Sequence, residues 1–182
     1  MANRQLLCAC PRHGYDAPMY DFQPQPGQTK PELYADLLSA ADALTAGERD
    51  GVANMANVAA LLWHMLPDVN WTGFYRLIAN DNGCELVLGP FVGRPACIRI
   101  ALGQGVCGTA AQSAQTQLVP DVHAFPGHIA CDAASASELV VPVLRNGTVV
   151  AVIDCDSPLP ARFDAQDAAG LEALAALLSD RI

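Results

Sequence analysis

The sequence has few charged and aromatic residues and no long apolar run. Of its 182 residues, 16% are charged and 6% are aromatic, whereas 52% are hydrophobic. That apolar fraction excludes an intrinsically disordered chain. Because no apolar stretch approaches the ~18 residues of a membrane span, no membrane partner is expected. The length is typical of one domain.

Basic residues are scarce as well. Ten Lys and Arg stand against 19 Asp and Glu, which gives a formal net charge of −9. A phosphate backbone would repel a chain of this charge, so no nucleic-acid partner is expected. The same charge favours solubility and points to no particular partner.

The sequence also lacks the even number of cysteines that a complete intrachain disulfide framework needs. The seven cysteines are Cys8, Cys10, Cys84, Cys97, Cys107, Cys131 and Cys155. No apolar stretch typical of a secretory signal precedes the first of them, so we expect a cytoplasmic protein with reduced thiols. Such cysteines fill the core, bind a metal or carry out redox chemistry, and filling is the default for any single one.

Proline and glycine are concentrated at the start of the chain, which predicts an irregular N-terminal extension over residues 1–30. Thr29, followed three residues later by Glu32, has the spacing of a capping box and predicts the first helix. Further helices are expected over about 50–66, over 106–114 and from Asp164 onward. We therefore predict one domain over 31–182.

Between these helices the apolar residues alternate with the period of strands. Strands are predicted over 70–77, 85–91, 96–102, 117–119, 138–144 and 148–154. The last two are joined by Asn146–Gly147, a hairpin signal. Residues 120–137 have no clear period and form a predicted long loop, a kind of segment that tends to be functional. The pattern predicts an α+β fold in which helices pack on an antiparallel sheet.

Residues 103–108 (GQGVCG) match the glycine pattern of dinucleotide-binding loops. That function also requires a parallel βαβ unit and an acidic residue about 20 positions later. Because the neighbouring strands are predicted to be hairpin-linked, we interpret the glycines as a tight turn that lets a helix approach the sheet.

Cys97, Cys107 and Cys131 form the second group of interest. Zinc would need four ligands with at least one close pair, and only His128 and Cys131 have such spacing. Three unrelated buried thiols would fit the spacing equally well. The remaining alternative is a nucleophile with a resolving thiol, for which Cys131 on the long loop is well placed.

Acidic residues close the last predicted strand. Asp154 and Asp156 point to the same face because strand side chains alternate, and Glu138 opens the neighbouring strand. Three carboxylates at one sheet end would raise at least one pKa and attract a cationic group. A solvated strand end is the simpler alternative. Trp71, by default a core residue, would beside these acids suit a methyl group and an ammonium.

Several motifs occur together in one order. They are 70–75 (NWTGFY), 103–110 (GQGVCGTA), 127–135 (GHIACDAAS), 137–142 (SELVVP) and 154–157 (DCDS). Together they closely resemble the free methionine-(R)-sulfoxide reductases, which are built on a single GAF domain. The resemblance covers about 31–182, and the run around Cys131 is highly specific.

The resemblance implies a six-stranded antiparallel sheet with helices on both sides. It also implies reduction of free L-methionine (R)-S-oxide to L-methionine, with thioredoxin as electron donor and no cofactor or metal. GAF domains often pair, which makes a homodimer an expectation.

The resemblance further assigns roles to residues. Cys131 matches the nucleophile, Cys97 the usual resolving cysteine, and Cys107 a supporting or alternative resolving thiol. The implied substrate pocket consists of Trp71, Tyr75, Glu138, Asp154 and Asp156. Glu138 and Asp156 are the candidates to hydrogen-bond the sulfoxide oxygen, Trp71 would pack on the substrate methyl, and backbone amides near 131–135 would hold the carboxylate.

Some cysteines depart from the family pattern. Cys8 and Cys10 lie on an extension that the family does not require, and Cys84 and Cys155 are interpreted as structural filler. A GAF-type sensor of a small ligand or of redox state remains the alternative function, and a zinc-binding module is a second one.

Overall fold

The computed structural model describes residues 22–80, 83–128 and 132–182. The predictions made for Cys8, Cys10 and Cys131 lie outside the described residues. Within the described part of the chain, no helix combines the length and the apolar character that crossing a membrane requires.

The four α-helices within the described residues begin close to where the sequence predicts them. They are α1 (Lys30–Thr45), α2 (Gly51–Met65), α3 (Gly105–Ser113) and α4 (Ala165–Leu178). The capping box is present at α1, where the Glu32 carboxylate accepts a hydrogen bond from the Thr29 backbone amide at 2.8 Å. Asp50 and Asp164 cap α2 and α4 by accepting hydrogen bonds from the amides of the first helical turn.

Within the described residues, six strands form one antiparallel sheet, as the sequence predicts. Their order in the sheet is β3-β2-β1-β6-β5-β4. They are β1 (Trp71–Asn80), β2 (Gly83–Gly93), β3 (Arg99–Ala101), β4 (Gln117–Val119), β5 (Ser137–Arg145) and β6 (Thr148–Ser157). The β5–β6 hairpin turns at Asn146 and Gly147, whose φ values of 51° and 78° give the left-handed pair that the sequence signal requires.

Two local predictions are wrong. The third strand is shorter than 96–102, because only three of its residues pair with β2, so Cys97 lies in the β2–β3 connection and not on a strand. The segment 120–137 is not wholly irregular, since it contains a short 3₁₀ helix over Val122–Ala124 and the first residue of β5.

The two faces of the sheet carry separate hydrophobic clusters. Helices α1, α2 and α4 cover one face, where Phe74, Ile153 and Cys155 are buried, so the prediction of a filler role for Cys155 fits. Helix α3 covers the other face, together with Trp71, Tyr75 and Val152. The alternation along β6 therefore directs Asp154 and Asp156 toward the α3 side.

The filler role predicted for Cys84 is wrong. Cys84 is exposed at the start of β2, where it pairs with Ala79 at the outer end of the β1–β2 hairpin. This end of the hairpin extends past the core, so the side chain has nothing to fill.

Candidate active site

The sheet register brings four predicted site residues to one side of the sheet. Trp71 on β1 pairs with Asp156 on β6, and Asp156 pairs with Glu138 on β5. Asp154, two residues earlier on β6, faces the same side. These four side chains line one cleft. Hairpin pairing of β5 with β6 is thus what gathers the carboxyl groups.

The glycines at 103–108 bring α3 close to the sheet. The Gly103 amide donates a 2.8 Å hydrogen bond to the Gly108 carbonyl, and a Cβ on Gly108 would lie only 2.4 Å from the Ala101 carbonyl oxygen. No other residue fits at position 108 without displacing the helix. This close approach places Cys107 in the cleft, so the glycines act as the tight turn predicted above.

A thiol and two carboxyl groups lie at the base of the cleft. Cys107, Glu138 and Asp154 are 4%, 6% and 5% exposed. The Cys107 thiol donates a weak hydrogen bond to Glu138 Oε1 at 3.9 Å. On the other side, His128 Nε2 lies 3.9 Å from Glu138 Oε2. One ligand atom from each of the three buried groups lies within 4.8 Å of the other two, which makes them the described residues that could hold a metal ion.

Burial makes the carboxyl groups of Glu138, Asp154 and Asp156 hold their protons. Desolvation, and then the charges of Asp154 and Asp156, raise the pKa of Glu138 well above its ordinary value. Desolvation also raises the pKa of Asp154 to about 7, although its contact with Cys107 opposes the shift. Burial and the Asp154 charge raise the pKa of Asp156 well above its usual range. The cluster can therefore donate a proton near neutral pH.

The same environment keeps Cys107 a thiol. Burial and then the neighbouring carboxylates, Asp154 first, raise the pKa of its thiol. His128 is desolvated as well, and this burial, together with the nearby His123, lowers the pKa of its imidazole. Because His128 is held neutral, it contributes little charge to balance the carboxylates.

Trp71 forms an apolar wall beside the acids. Its ring stacks against Phe91 with centroids 5.2 Å apart and against Tyr75 at 5.9 Å. Its Nε1–H donates a 3.1 Å hydrogen bond to the Arg94 carbonyl. These three contacts hold the indole in place, so Trp71 gives the cleft a rigid apolar wall.

Asp132 is held in place by groups from distant parts of the chain. Its Oδ1 accepts from Arg94 Nη1 at 3.2 Å and from the Ala134 amide at 2.9 Å. Its Oδ2 accepts from Asn70 Nδ2 at 3.3 Å, and the same amide donates to Ser135 Oγ at 3.1 Å. Asn70 and Arg94 were not singled out from the sequence as site residues. The only signal for Asn70 was its place at the head of the 70–75 motif.

Comparison with known proteins places this site in a family. The GAF domain model matches residues 49–182. The free methionine-R-sulfoxide reductase of Escherichia coli is 50% identical over 149 residues, which cover 82% of this chain and 88% of that protein. The chain belongs to the free methionine-R-sulfoxide reductase family of GAF-domain proteins.

Solved structures agree with this assignment. The free methionine-R-sulfoxide reductase of Neisseria meningitidis, solved in complex with its substrate, is 41% identical with a TM-score of 0.83 over 90% of this chain and 95% of that one. A Burkholderia vietnamiensis protein with a provisional GAF-sensor name is 57% identical with a TM-score of 0.79, over 85% and 96% of the two chains.

In this member of the reductase family, six of the predicted site residues line one cleft. They are Trp71, Tyr75, Cys107, Glu138, Asp154 and Asp156. Cys97 is half-buried beside Ala96, which also lines the cleft. Cys131 lies outside the described residues, and the described residues that flank the gap, His128 and Asp132, both line the cleft.

Proposed function

We propose that this chain reduces free L-methionine (R)-S-oxide to L-methionine through a cysteine sulfenic acid and an intramolecular disulfide, with thioredoxin as the electron donor. The observation that carries the proposal is the cluster of three proton-holding carboxyl groups beside Trp71. The 50% identity to a protein named for this reaction supplies the substrate.

The first step forms the sulfenic acid. A protonated carboxyl group of the cluster, Glu138 or Asp156, donates a hydrogen bond to the sulfoxide oxygen and makes the sulfur electrophilic. The Cys131 thiolate attacks that sulfur, a sulfur–sulfur bond forms, and the carboxyl proton passes to the sulfoxide oxygen. The oxygen then moves to the Cys131 sulfur as the bonds from the methionine sulfur to the oxygen and to Cys131 break. Methionine leaves as the reduced thioether, and Cys131 is oxidised by two electrons to the sulfenic acid. The carboxyl group regains its proton from solvent.

The second step forms the disulfide. A resolving thiol attacks the Cys131 sulfenic acid, a sulfur–sulfur bond forms, and the hydroxyl leaves as water. Cys97 suits this role better than Cys107, because the buried Cys107 has a raised thiol pKa and so little thiolate. A thioredoxin dithiol then attacks the disulfide, supplies two electrons, and returns both cysteines to thiols.

The cleft also accounts for a preference for the free amino acid. A carboxylate left ionised in the cluster would hold the substrate ammonium, and Trp71 would pack on the methyl group. The Ala134 and Ser135 amides already donate to Asp132, so the amides at 131–133 are the ones proposed to hold the substrate carboxylate. A methionine sulfoxide within a peptide lacks both charges and would lose both contacts.

The oligomeric state and the location stay predictions. A homodimer is expected from the habit of GAF domains to pair, and a cytoplasmic location is expected from the cysteine usage. Neither enters the reaction steps above.

An assay with separated substrates tests the proposal. Oxidation of NADPH is followed in the presence of thioredoxin and thioredoxin reductase, with the R and S epimers of free methionine sulfoxide and with the R epimer blocked at both its amine and its carboxyl. Turnover is expected with the free R epimer alone. Equal turnover of both epimers or of the blocked compound would contradict the proposed specificity. Binding of the free R epimer without any turnover would favour the GAF-type sensor.

A further inference from the structure

Among the described residues, no Lys or Arg pairs with the carboxyl groups at the base of the cleft. Arg94 is the only Lys or Arg among the described lining residues, and it pairs with Asp132. No ion pair within the described part of the chain reaches Asp154 or Asp156. Moreover, Asp154 Oδ1 is buried with no hydrogen-bond partner among the described residues, in a residue that is 5% exposed.

We propose that the reduced protein binds one Zn²⁺ ion at this cluster, through Cys107 Sγ, one oxygen of Glu138 and the unpartnered oxygen of Asp154. A thiolate and two carboxylates are a donor set that suits zinc. On binding, the Cys107 thiol and the Glu138 and Asp154 carboxyl groups release their protons to solvent, and the ion offsets the negative charge that this creates. With three protein ligands, the ion would keep one position for water.

The distances suit a site that needs little rearrangement. The Cys107 sulfur lies 3.9 Å from Glu138 Oε1, and one ligand atom from each of the three residues lies within 4.8 Å of the others. Ligand atoms on one tetrahedral zinc are roughly 3.3–3.6 Å apart, given bond lengths of about 2.0–2.3 Å. Side-chain rotations that move the ligand atoms by about 1 Å therefore complete the site without moving β5, β6 or α3.

This ligand set differs from the zinc alternative considered from the sequence. That alternative relied on His128 and Cys131 as the close pair, with other cysteines as partners. The described geometry instead gathers one thiol with two carboxyl groups, which are not close to one another in the sequence. If the proposed function holds, zinc would occupy the groups that receive the sulfoxide, and it would therefore inhibit the reductase.

Binding is measured directly on the full chain, without turnover. The parent protein carries Cys8→Ser, Cys10→Ser and Cys84→Ser, which remove thiols that are not part of the proposed site. It is fully reduced, freed of reductant under nitrogen, and titrated with Zn²⁺ against a chromophoric chelator. Cys107→Ser and Asp154→Asn should each weaken zinc binding by about tenfold or more. Cys155→Ala, which removes a buried thiol on the opposite face of the sheet, should leave the affinity unchanged.

A second readout identifies the ligand itself. Titration with Cd²⁺ should give the ultraviolet sulfur-to-cadmium absorption at one equivalent in the parent protein, and this band should be absent in Cys107→Ser. Parent-like zinc affinity in both Cys107→Ser and Asp154→Asn would overturn the proposal. So would loss of the site in Cys97→Ser or Cys131→Ser with retention in Asp154→Asn. Because no reductase reaction is involved, these outcomes are independent of the proposed function.

Discussion

Arg94 Nη1 lies 3.2 Å from Asp132 Oδ1 and so joins two segments that each border a cysteine of the proposed reaction. Arg94 stands three residues before Cys97, and Asp132 directly follows Cys131. An ion pair between these segments limits their relative motion. We therefore expect it to affect the meeting of the two thiols more than the attack on the substrate.

Arg94→Ala should slow disulfide closure while leaving methionine release nearly unchanged. The Arg94 side chain is 73% exposed, so the pair is screened and its loss should slow closure by about threefold to fivefold. Rapid quenching followed by thiol counting measures closure, and separation of free methionine measures release. High salt should slow closure in the wild type but not in the variant.

Arg99→Ala is the matched control for that experiment. Arg99 on β3 is 61% exposed and pairs with Glu85 on β2. Arg94 lies in the connection between these two strands, but neither Arg99 nor Glu85 lines the cleft. Both rates should stay at the wild-type value in this variant. An equal slowing of closure in Arg94→Ala and Arg99→Ala would show that the Arg94–Asp132 contact has no special role.

Trp71→Phe should lower kcat/KM for free methionine (R)-S-oxide by about tenfold, mainly through KM. The substitution keeps an aromatic ring but removes the indole N–H that bonds the Arg94 carbonyl and part of the wall beside the acids. Steady-state kinetics in the thioredoxin-coupled assay gives the two constants.

The second tryptophan provides the control. Trp63 is 41% exposed on α2, so Trp63→Phe should leave both constants unchanged. In that variant Trp71 is the single remaining tryptophan, and its fluorescence should change when substrate binds. If Trp71→Phe has unaltered kinetics, or if the fluorescence of Trp63→Phe does not change when substrate binds, the substrate binds away from Trp71.

The raised pKa of Asp154 predicts a pH-dependent loss of stability. The unfolded carboxyl ionises near its ordinary pKa of 3.8, whereas the folded one, with a pKa of about 7, holds its proton to near neutral pH. The folded state thus binds more protons between these values, and stability contributed by the proton is lost as pH rises through this window. We expect urea unfolding to show that, between pH 5 and pH 7, the free energy of unfolding of the wild type falls by about 2 kcal/mol more than that of Asp154→Asn.

The decisive measurement is how steeply the free energy of unfolding falls with pH in the wild type and in Asp154→Asn. Asn cannot ionise, so Asp154→Asn lacks this dependence and also lacks the charge that raises the pKa of Glu138 and of Asp156. Both effects make the stability of the variant depend less on pH. The absolute stability of the variant is less informative, because an amide at a buried site alters hydrogen bonding as well. Parallel stability curves for the two proteins over this pH range would show that Asp154 ionises at an ordinary pKa in the folded state.

Gly108→Ala should destabilise the fold although alanine is the better helix former. A Cβ at this position would lie 2.4 Å from the Ala101 carbonyl oxygen, so α3 must move away from the sheet. The cost should be about 1–3 kcal/mol in urea unfolding. Ser113→Ala, at the exposed end of the same helix, should change stability by less than about 0.5 kcal/mol. A stabilised Gly108→Ala would show that the helix has room.

Local signals predicted most of the fold. Thr29 with Glu32, Asp164 before α4, and Asn146–Gly147 in the hairpin each fix an element boundary through contacts within a few residues. Strand alternation predicted that Asp154 and Asp156 share a face, and the β5–β6 hairpin then brought Glu138 beside them. These features depend on residues that are close in the sequence, so the order of residue types is enough to predict them.

Contacts between distant segments could not be predicted in this way. Asn70 and Arg94 bond Asp132 across 62 and 38 residues, and nothing in the spacing indicates either pair. Cys84 was predicted to be filler because cysteines are commonly buried. Its exposure follows from the length by which the β1–β2 hairpin extends past the core, and composition does not reveal that length.

The role of Cys131 is tested most directly by a single turnover without thioredoxin. Reduced protein is mixed with excess free methionine (R)-S-oxide, and the methionine formed is counted per chain. The wild type should release about one methionine and lose two thiols, Cys97→Ser should release about one methionine and form no disulfide between 97 and 131, and Cys131→Ser should release none. One methionine per chain from Cys131→Ser would contradict the proposed reaction.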